Sequence, residues 1–190
     1  AFAFNNQGIQ GSVLQMVNHA ISTGALFLMA MALIDRAGTA DIGAFGGFGG
    51  RYPVFYGVFL VVLFSSVGLP GLNGFVGEFL TLVGAYRSAP AFALAGVLGV
   101  LLAAMVLLWM FRLSMQGPAH GGGDGPAARD LDERELIPLT PLLILIVTLG
   151  LFPNVLLGPM EASVGQLAAT IQTARQQAAA MPGLAWLTTN

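Results

Sequence analysis

Residues 68–80 read GLPGLNGFVGEFL. Four glycines, a proline, an asparagine and a glutamate interrupt a chain that is otherwise nearly continuous hydrocarbon. Pro70 removes a backbone donor and obstructs the preceding turn, and the glycines loosen the backbone on either side. In lipid, every N–H or C=O released in this way costs several kcal/mol unless it finds a partner. A break here is therefore expected to be buried in protein or to line a wet cavity, with Asn73 offering both a donor and an acceptor to the loosened chain. Interrupted helices at membrane depth are where ion and substrate sites are built.

The flanks establish the setting. Of 190 residues, 56% are hydrophobic and 8% charged, and the mean hydropathy is +0.79. These values fall in the membrane class. A hydrocarbon core of about 30 Å needs roughly 20 apolar residues per helix. The apolar runs are continuous rather than alternating, which argues against a barrel. Spans are predicted at 10–34, 54–86, 91–113 and 137–158, with the second broken at 68–77. At 1.5 Å per residue, 54–68 and 78–86 reach about 22 and 13 Å, so neither fills a bilayer alone and one broken crossing fits both. The fold class expected is thus an all-α integral membrane bundle of about four transmembrane helices, 1–158, followed by a C-terminal amphipathic segment, 159–190. In that tail Met160, Val164, Leu167, Ile171 and Ala178 fall at helical spacing, as for a helix at a membrane or partner surface.

Charge sets the expected topology. Four crossings put Arg36, Arg51, Arg112, Arg129 and Arg134 on one face and Arg87 and Arg175 on the other. The positive-inside rule makes the first face cytoplasmic. The segment 116–135 reads as one long aqueous loop, with Asp130, Asp132, Glu133 and Glu135 solvated beside arginines and His120 in water. Trp109 and Trp186 read as interface anchors, and Pro138 and Pro141 as prolines near a helix start. The opening AFAFNNQG has no basic region and does not read as a signal peptide, and the chain reads as a piece of something longer. No basic cluster points to nucleic acid. The absence of cysteine excludes disulfides and thiolate-held metal or iron–sulfur sites within the chain. The GxG patterns at 43–50 follow no strand, which argues against a nucleotide site.

Two features carry chemistry. Glu78 is the one acidic residue inside a predicted span, where a charge costs about 2.5–3.5 kcal/mol at a helix centre. Buried there, it is expected to exchange a proton near neutral pH. On the first helix Gln15, Asn18, His19, Ser22 and Thr23 recur at i, i+3, i+4, i+7 and i+8, a polar stripe on one face. His19 contributes an imidazole, the side chain most used for proton exchange near neutrality. A water-filled relay linking this stripe to Glu78 is one reading. Interhelical hydrogen bonding by small polar groups, with Glu78 in a static ion pair or at an interface, is the other.

The stretches QGSVLQMVNHAISTGALFL, 10–28, and GLPGLNGFVGEFLTLVGAY, 68–86, resemble the antiporter-like membrane subunits of proton-pumping NADH:quinone oxidoreductase, respiratory complex I. Among these the M type is the nearest likeness. The position of Glu78 is typically lysine in the L and N types and in multisubunit sodium/proton antiporters, and glutamate in the M type. This chain contains no lysine, a departure from the family. The resemblance implies the C-terminal part of a subunit of about fourteen helices, multi-pass in a bacterial inner membrane. Beside it would stand the L and N subunits and the lipid bilayer. It implies Glu78 and His19 as the proton-translocating residues, with Gln15, Asn18, Ser22, Thr23 and Asn73 lining the path. It implies no cofactor or metal in this chain, and NAD, FMN, iron–sulfur clusters and quinone in other subunits. A cation/proton antiporter or membrane-bound hydrogenase subunit on the same fold, or a non-conducting structural subunit, are the alternatives.

Overall fold

A computed structural model of the chain describes residues 4–117 and 129–180. Within them the protein is all helical: α1 (Asn6–Ala37), a 3-10 turn (Ile42–Ala44), α2 (Phe48–Arg51), α3 (Pro53–Val67), α4 (Asn73–Ser88), α5 (Pro90–Met115), α6 (Glu133–Leu151) and α7 (Asn154–Ala180). Three of these, α1, α5 and α6, are long and apolar enough to cross a membrane. His120 and Trp186 lie outside the described residues.

The contacts along α1 settle how α3 and α4 are related. Asn5, at the start of α1, donates to the Gly84 carbonyl and to Ser88. A Cβ at Gly11 would stand 2.5 Å from the backbone nitrogen of Thr81. Gln15 reaches Glu78, Asn18 reaches Asn73 and Ser22 reaches Ser65. Arg36, near the end of α1, lies over the ring of Phe55. As the number falls from 88 to 55 on one side it rises from 5 to 36 on the other. The segments α3 and α4 are therefore two halves of one crossing antiparallel to α1. Their lengths, about 22 and 24 Å, sum to nearly the 48 Å of α1. The interruption sits opposite Asn18–Ser22, halfway along.

The interruption spans 68–72 rather than the expected 68–77, because helix resumes at Asn73. The halves have different ends. Gly68, at φ +80°, takes the left-handed conformation open to glycine. Its N–H and that of Leu69 donate to the Ser65 and Phe64 carbonyls, which closes α3 with its own last turn. Gly71, at φ +96°, turns the chain again. Gly74 and Gly77 are helical and serve close approach instead: the Ser65 carbonyl and the Gln15 side chain occupy the space where their Cβ atoms would be. Helix association in lipid gains no hydrophobic term, so this contact between backbones supplies the packing.

Beyond the break the core is apolar. Met29, Phe55, Phe59, Val62, Leu63 and Ile146 are buried between α1, α3 and α6, and Phe45, Phe48, Tyr52, Phe111 and Met115 close the end near Arg36. The outer face of α5, including Phe92, Leu98, Leu102, Met105 and Trp109, is exposed.

Two carboxylates of the expected aqueous loop are bonded to the bundle and only partly exposed. Glu135 makes a bidentate pair with Arg36, Nη1 to Oε1 and Nη2 to Oε2, both 2.7 Å, and Arg36 is only 2% exposed. Asp130 accepts from the N–H groups of Val54 and Phe55 at 2.8 and 2.9 Å. It thereby caps α3, whose first position is Pro53 and whose own flanking residue offers no side-chain acceptor. Both differences have one cause: the end of α1 leaves a buried cation and the start of α3 leaves orphan donors, and carboxylates distant in sequence satisfy them. The same segment starts α6 early. Asp132 and Glu135 form a reciprocal capping box, so Pro138 and Pro141 fall inside the helix rather than at its start.

Burial pushes the Asp130 carboxyl up, but the N–H groups of Val54, Phe55 and Leu131 and the charge of Arg36 outweigh it and hold the group below the usual carboxylate range. A folded-state value below the unfolded one adds stability above the unfolded value, about 3.9, that is lost as pH falls through the folded value. Asp130→Ala is expected to lower stability at pH 7 by about 0.5–2 kcal/mol. The deficit should begin to shrink as pH falls below about 3.9, where the unfolded carboxyl takes up its proton, and should be gone below the lowered folded-state value. Thermal unfolding in detergent from pH 7 to pH 3 checks both. A deficit that does not change with pH would mean that the capping charge contributes nothing.

The last predicted span, 137–158, meets Phe152 and Pro153, where α6 ends and α7 begins. Pro153 cannot donate to the carbonyl four residues back, so the helix stops there. The tail then packs on the N-terminal part of α1. Ile9 and Val13 border a groove with Met160, Val164 and Leu167, and Arg175 lies over Phe4.

Candidate functional site

The polar stripe on α1 divides when folded. Successive helical residues are about 100° apart, so adjacent members need not look the same way. Gln15, Asn18 and Ser22 face the broken crossing, while His19 is exposed and Thr23 only partly covered. Thr23 Oγ lies 3.3 Å from His19 Nδ1. The five predicted residues thus form two sets on one helix: an inner set bonded to the break, and an outer pair on the open flank of α1.

The inner set closes around Asn73, which is fully buried. Asn18 Nδ2 donates to the Asn73 carbonyl at 2.6 Å. Asn73 Nδ2 donates to the Asn18 carbonyl and to Ser22 Oγ, both at 3.2 Å. Ser65 Oγ donates to Asn73 Oδ1 at 2.5 Å, and the Ser22 and Ser65 hydroxyls share a bond of 2.6 Å. Ser65, from the last turn of α3, is the member that the sequence reading missed. It faces inward at the point where α3 ends, and a serine pair preceding a glycine–proline break is the signal that could have found it. The network joins α1, α3 and α4 at one level, and every side chain in it gains at least one partner in place of lipid.

Glu78 lies one turn further along α4. Gln15 Nε2 donates to its Oε1 at 3.2 Å. Its Oε2 packs over Gly68, where a Cβ would stand 2.5 Å away. The carboxylate therefore rests directly on the left-handed glycine that ends α3, and a side chain at 68 would displace it. His19 stands one turn beyond Gln15 along α1, on its exposed flank. Gln15 Oε1 and Asn18 Oδ1, one turn apart on the α1 face that meets the break, are buried without a hydrogen-bond partner among the described residues. Chemically, this is an acid group with one donor, Gln15 Nε2, beside two amide oxygens able to accept hydrogen bonds from water or from a protonated neighbour. Among the described residues no three His, Cys, Asp or Glu side chains gather as a metal group would require.

Comparison with known proteins places this arrangement in context. Residues 1–108 match the family described as NADH:quinone oxidoreductase/Mrp antiporter, TM. The chain is 36% identical over 166 residues to NADH-quinone oxidoreductase subunit M of Rickettsia prowazekii, covering 87% of this chain and 34% of that protein. To subunit M of Mycobacterium tuberculosis it is 37% identical over 170 residues, 90% of this chain and 30% of that one. Among solved structures it is similar to a chain of respiratory complex I from Thermus thermophilus with bound NADH. The TM-score is 0.76 at 31% identity, over 88% of this chain and 35% of that one. The chain thus spans about a third of the length of the relatives it matches.

Proposed function

Because the chain belongs to the NADH:quinone oxidoreductase/Mrp antiporter membrane family, we propose that it is the C-terminal part of an M-type antiporter-like subunit and carries one station of a proton path across the membrane. The observation that carries this reading is a carboxylate, Glu78, seated on a helix break halfway through the bundle. Glu78 takes up a proton, holds it beside Gln15 and releases it. His19 and Thr23, on the open flank of α1, form a station on the approach to it. Gln15, Asn18, Ser22 and Asn73 line the approach. Electron transfer, with NAD, FMN, iron–sulfur clusters and quinone, belongs to other subunits of a respiratory complex, and the L and N subunits are its membrane neighbours.

The packing supports a direction. Glu78 lies on the α1 N-terminal side of the break, opposite Gln15. On the other side, toward Arg36, the core is apolar and aromatic. In that direction a proton on Glu78 first meets the buried network of Asn18, Ser22, Ser65 and Asn73, and beyond it the apolar core; the proposed release therefore runs the other way, toward the face on which α1 begins. By the distribution of arginines that face is the outer one. A potential of 100 mV acts on a transferred unit charge with about 2.3 kcal/mol, a load that a change in one neighbouring buried charge can match.

Infrared difference spectra of the intact complex, resting against NADH-reduced, test the carrier. A carboxyl C=O band that appears or vanishes between the two states is expected for the wild type and absent in Glu78→Gln. Identical spectra for the two proteins would remove Glu78 from the path.

A further inference from the structure

We propose that Gly150, on the last turn of α6, is a positioning residue for Glu78. This inference rests on the proton-carrying role proposed for that carboxylate. A Cβ at Gly150 would stand 2.5 Å from the Leu72 backbone and closer still to the Gly71 carbonyl oxygen. The end of α6 therefore lies against the two residues that join the halves of the broken crossing. One neighbour on, Asn73 opens α4; three positions before Gly71, Gly68 carries the Glu78 carboxylate. A displacement at 71–72 reaches the carboxylate through both.

A second, independent feature places a charge at the same spot. Pro153 stops α6 at Leu151, so the helix ends beside the break rather than at the membrane surface. A helix C-terminus carries partial negative charge on carbonyls without intrahelical donors, and Pro153 offers no N–H to the carbonyl of Leu149. The break thus joins the negative end of α6 to the positive end of α4. Glu78 lies in that field, with Gln15 bonded to it from α1. Gly150 sets the distance between the two helix ends, and only glycine permits it. Its role is to fix where the carboxylate sits and the field it senses. It does not itself touch the proton.

The test is Gly150→Ala in the intact complex in membrane vesicles, with Gly158→Ala as control, since a Cβ at Gly158 meets nothing within 4 Å. In Gly150→Ala, protons translocated per electron are expected to fall about threefold or more, since an ångström of misplacement at a reacting group is costly. The pH profile of translocation should move, while assembly and NADH oxidation hold and Gly158→Ala stays normal. Wild-type translocation with an unmoved profile would overturn the inference. Should Gly150→Ala fail to assemble, Pro153→Ala carries the test. It adds no atom at the junction, gives the Leu149 carbonyl a donor and is expected to move the same profile; a normal profile there overturns the inference equally. Normal pumping by Glu78→Gln would instead strike the underlying reading, whatever Gly150 does.

Discussion

Glu78→Gln is expected to end proton translocation through this subunit while leaving assembly and NADH oxidation in place. Glutamine keeps the size of the side chain and an oxygen able to accept from Gln15 Nε2, which now bonds Oε1 at 3.2 Å. It also keeps the contact over Gly68. What it loses is the capacity to bind and release a proton. Loss of a positioned acid–base group costs about 10²–10⁴-fold in a proton-transfer step, which stops a path that runs through it. Glu78→Asp keeps the acid but withdraws it by one methylene, about 1.5 Å, from both Gln15 and Gly68. Partial translocation is expected, reduced by up to about 10²-fold. Measuring protons moved per NADH oxidised in membrane vesicles separates the outcomes. Full pumping by the glutamine variant would make Glu78 a structural group, and the site would then be a hydrogen-bonded seam between helices.

The second large effect lies at the opposite end of the bundle. Arg36 is 2% exposed and Glu135 26%, and the guanidinium also lies 5.6 Å from the Tyr52 ring centroid and 5.2 Å from that of Phe55. Removing one partner of a buried pair leaves a charge without compensation, at about 3–5 kcal/mol. The two removals should differ. Glu135→Gln removes the counter-charge of the 2%-exposed Arg36 and leaves it the Ala32 and Arg129 carbonyls beside the aromatic rings, so it should approach the full cost. Arg36→Met strands a carboxylate that is already partly wet and keeps much of the packing, so it should cost less, about 1–3 kcal/mol. Arg36→Met combined with Glu135→Leu should recover a large part of the loss, because an apolar pair of similar volume often replaces a buried ion pair without penalty. Thermal unfolding of the three variants in detergent checks the order. Equal destabilisation by both single variants would mean that solvent reaches Arg36 and that the pair is not a buried one.

Much of the architecture could be read from the chain because membrane helices announce themselves. With no water to bond the backbone, only long apolar helices are allowed, and the glycines and Pro70 stood out against them. One broken helix over 54–86 was expected from its length and from the placing of the arginines, and α3 and α4 do lie end to end along α1. Local pattern fell short wherever a group's partner lay far away in the sequence. Arg36 and Glu135 are 99 residues apart, and Asp130 reaches Val54 across 76. An acidic stretch beside arginines looks solvated until the buried cation it serves is known. Other signals were present and went unread. Asp132 and Glu135 have the spacing of a capping box, and Pro153 lies where a helix should end. The site divides in the same way. Asn73 and Gln15 were expected near Glu78 and are bonded there or one turn away. A period of 3.6 puts Asn18 and His19 on one broad flank, but only the neighbouring helix decides which of them is enclosed.

The closure of α3 on itself has a consequence for how the subunit could work. Gly68 and Leu69 already have backbone acceptors in the preceding turn, Leu72 has one in Leu69, and Asn73 is bonded on every side. Unwinding this joint further, or straightening it, would forfeit several of those bonds at about 1 kcal/mol each. It is a fixture and not a hinge. During turnover the load falls on side chains and on the ionisation of one group, and the helices can hold still while the charge goes by.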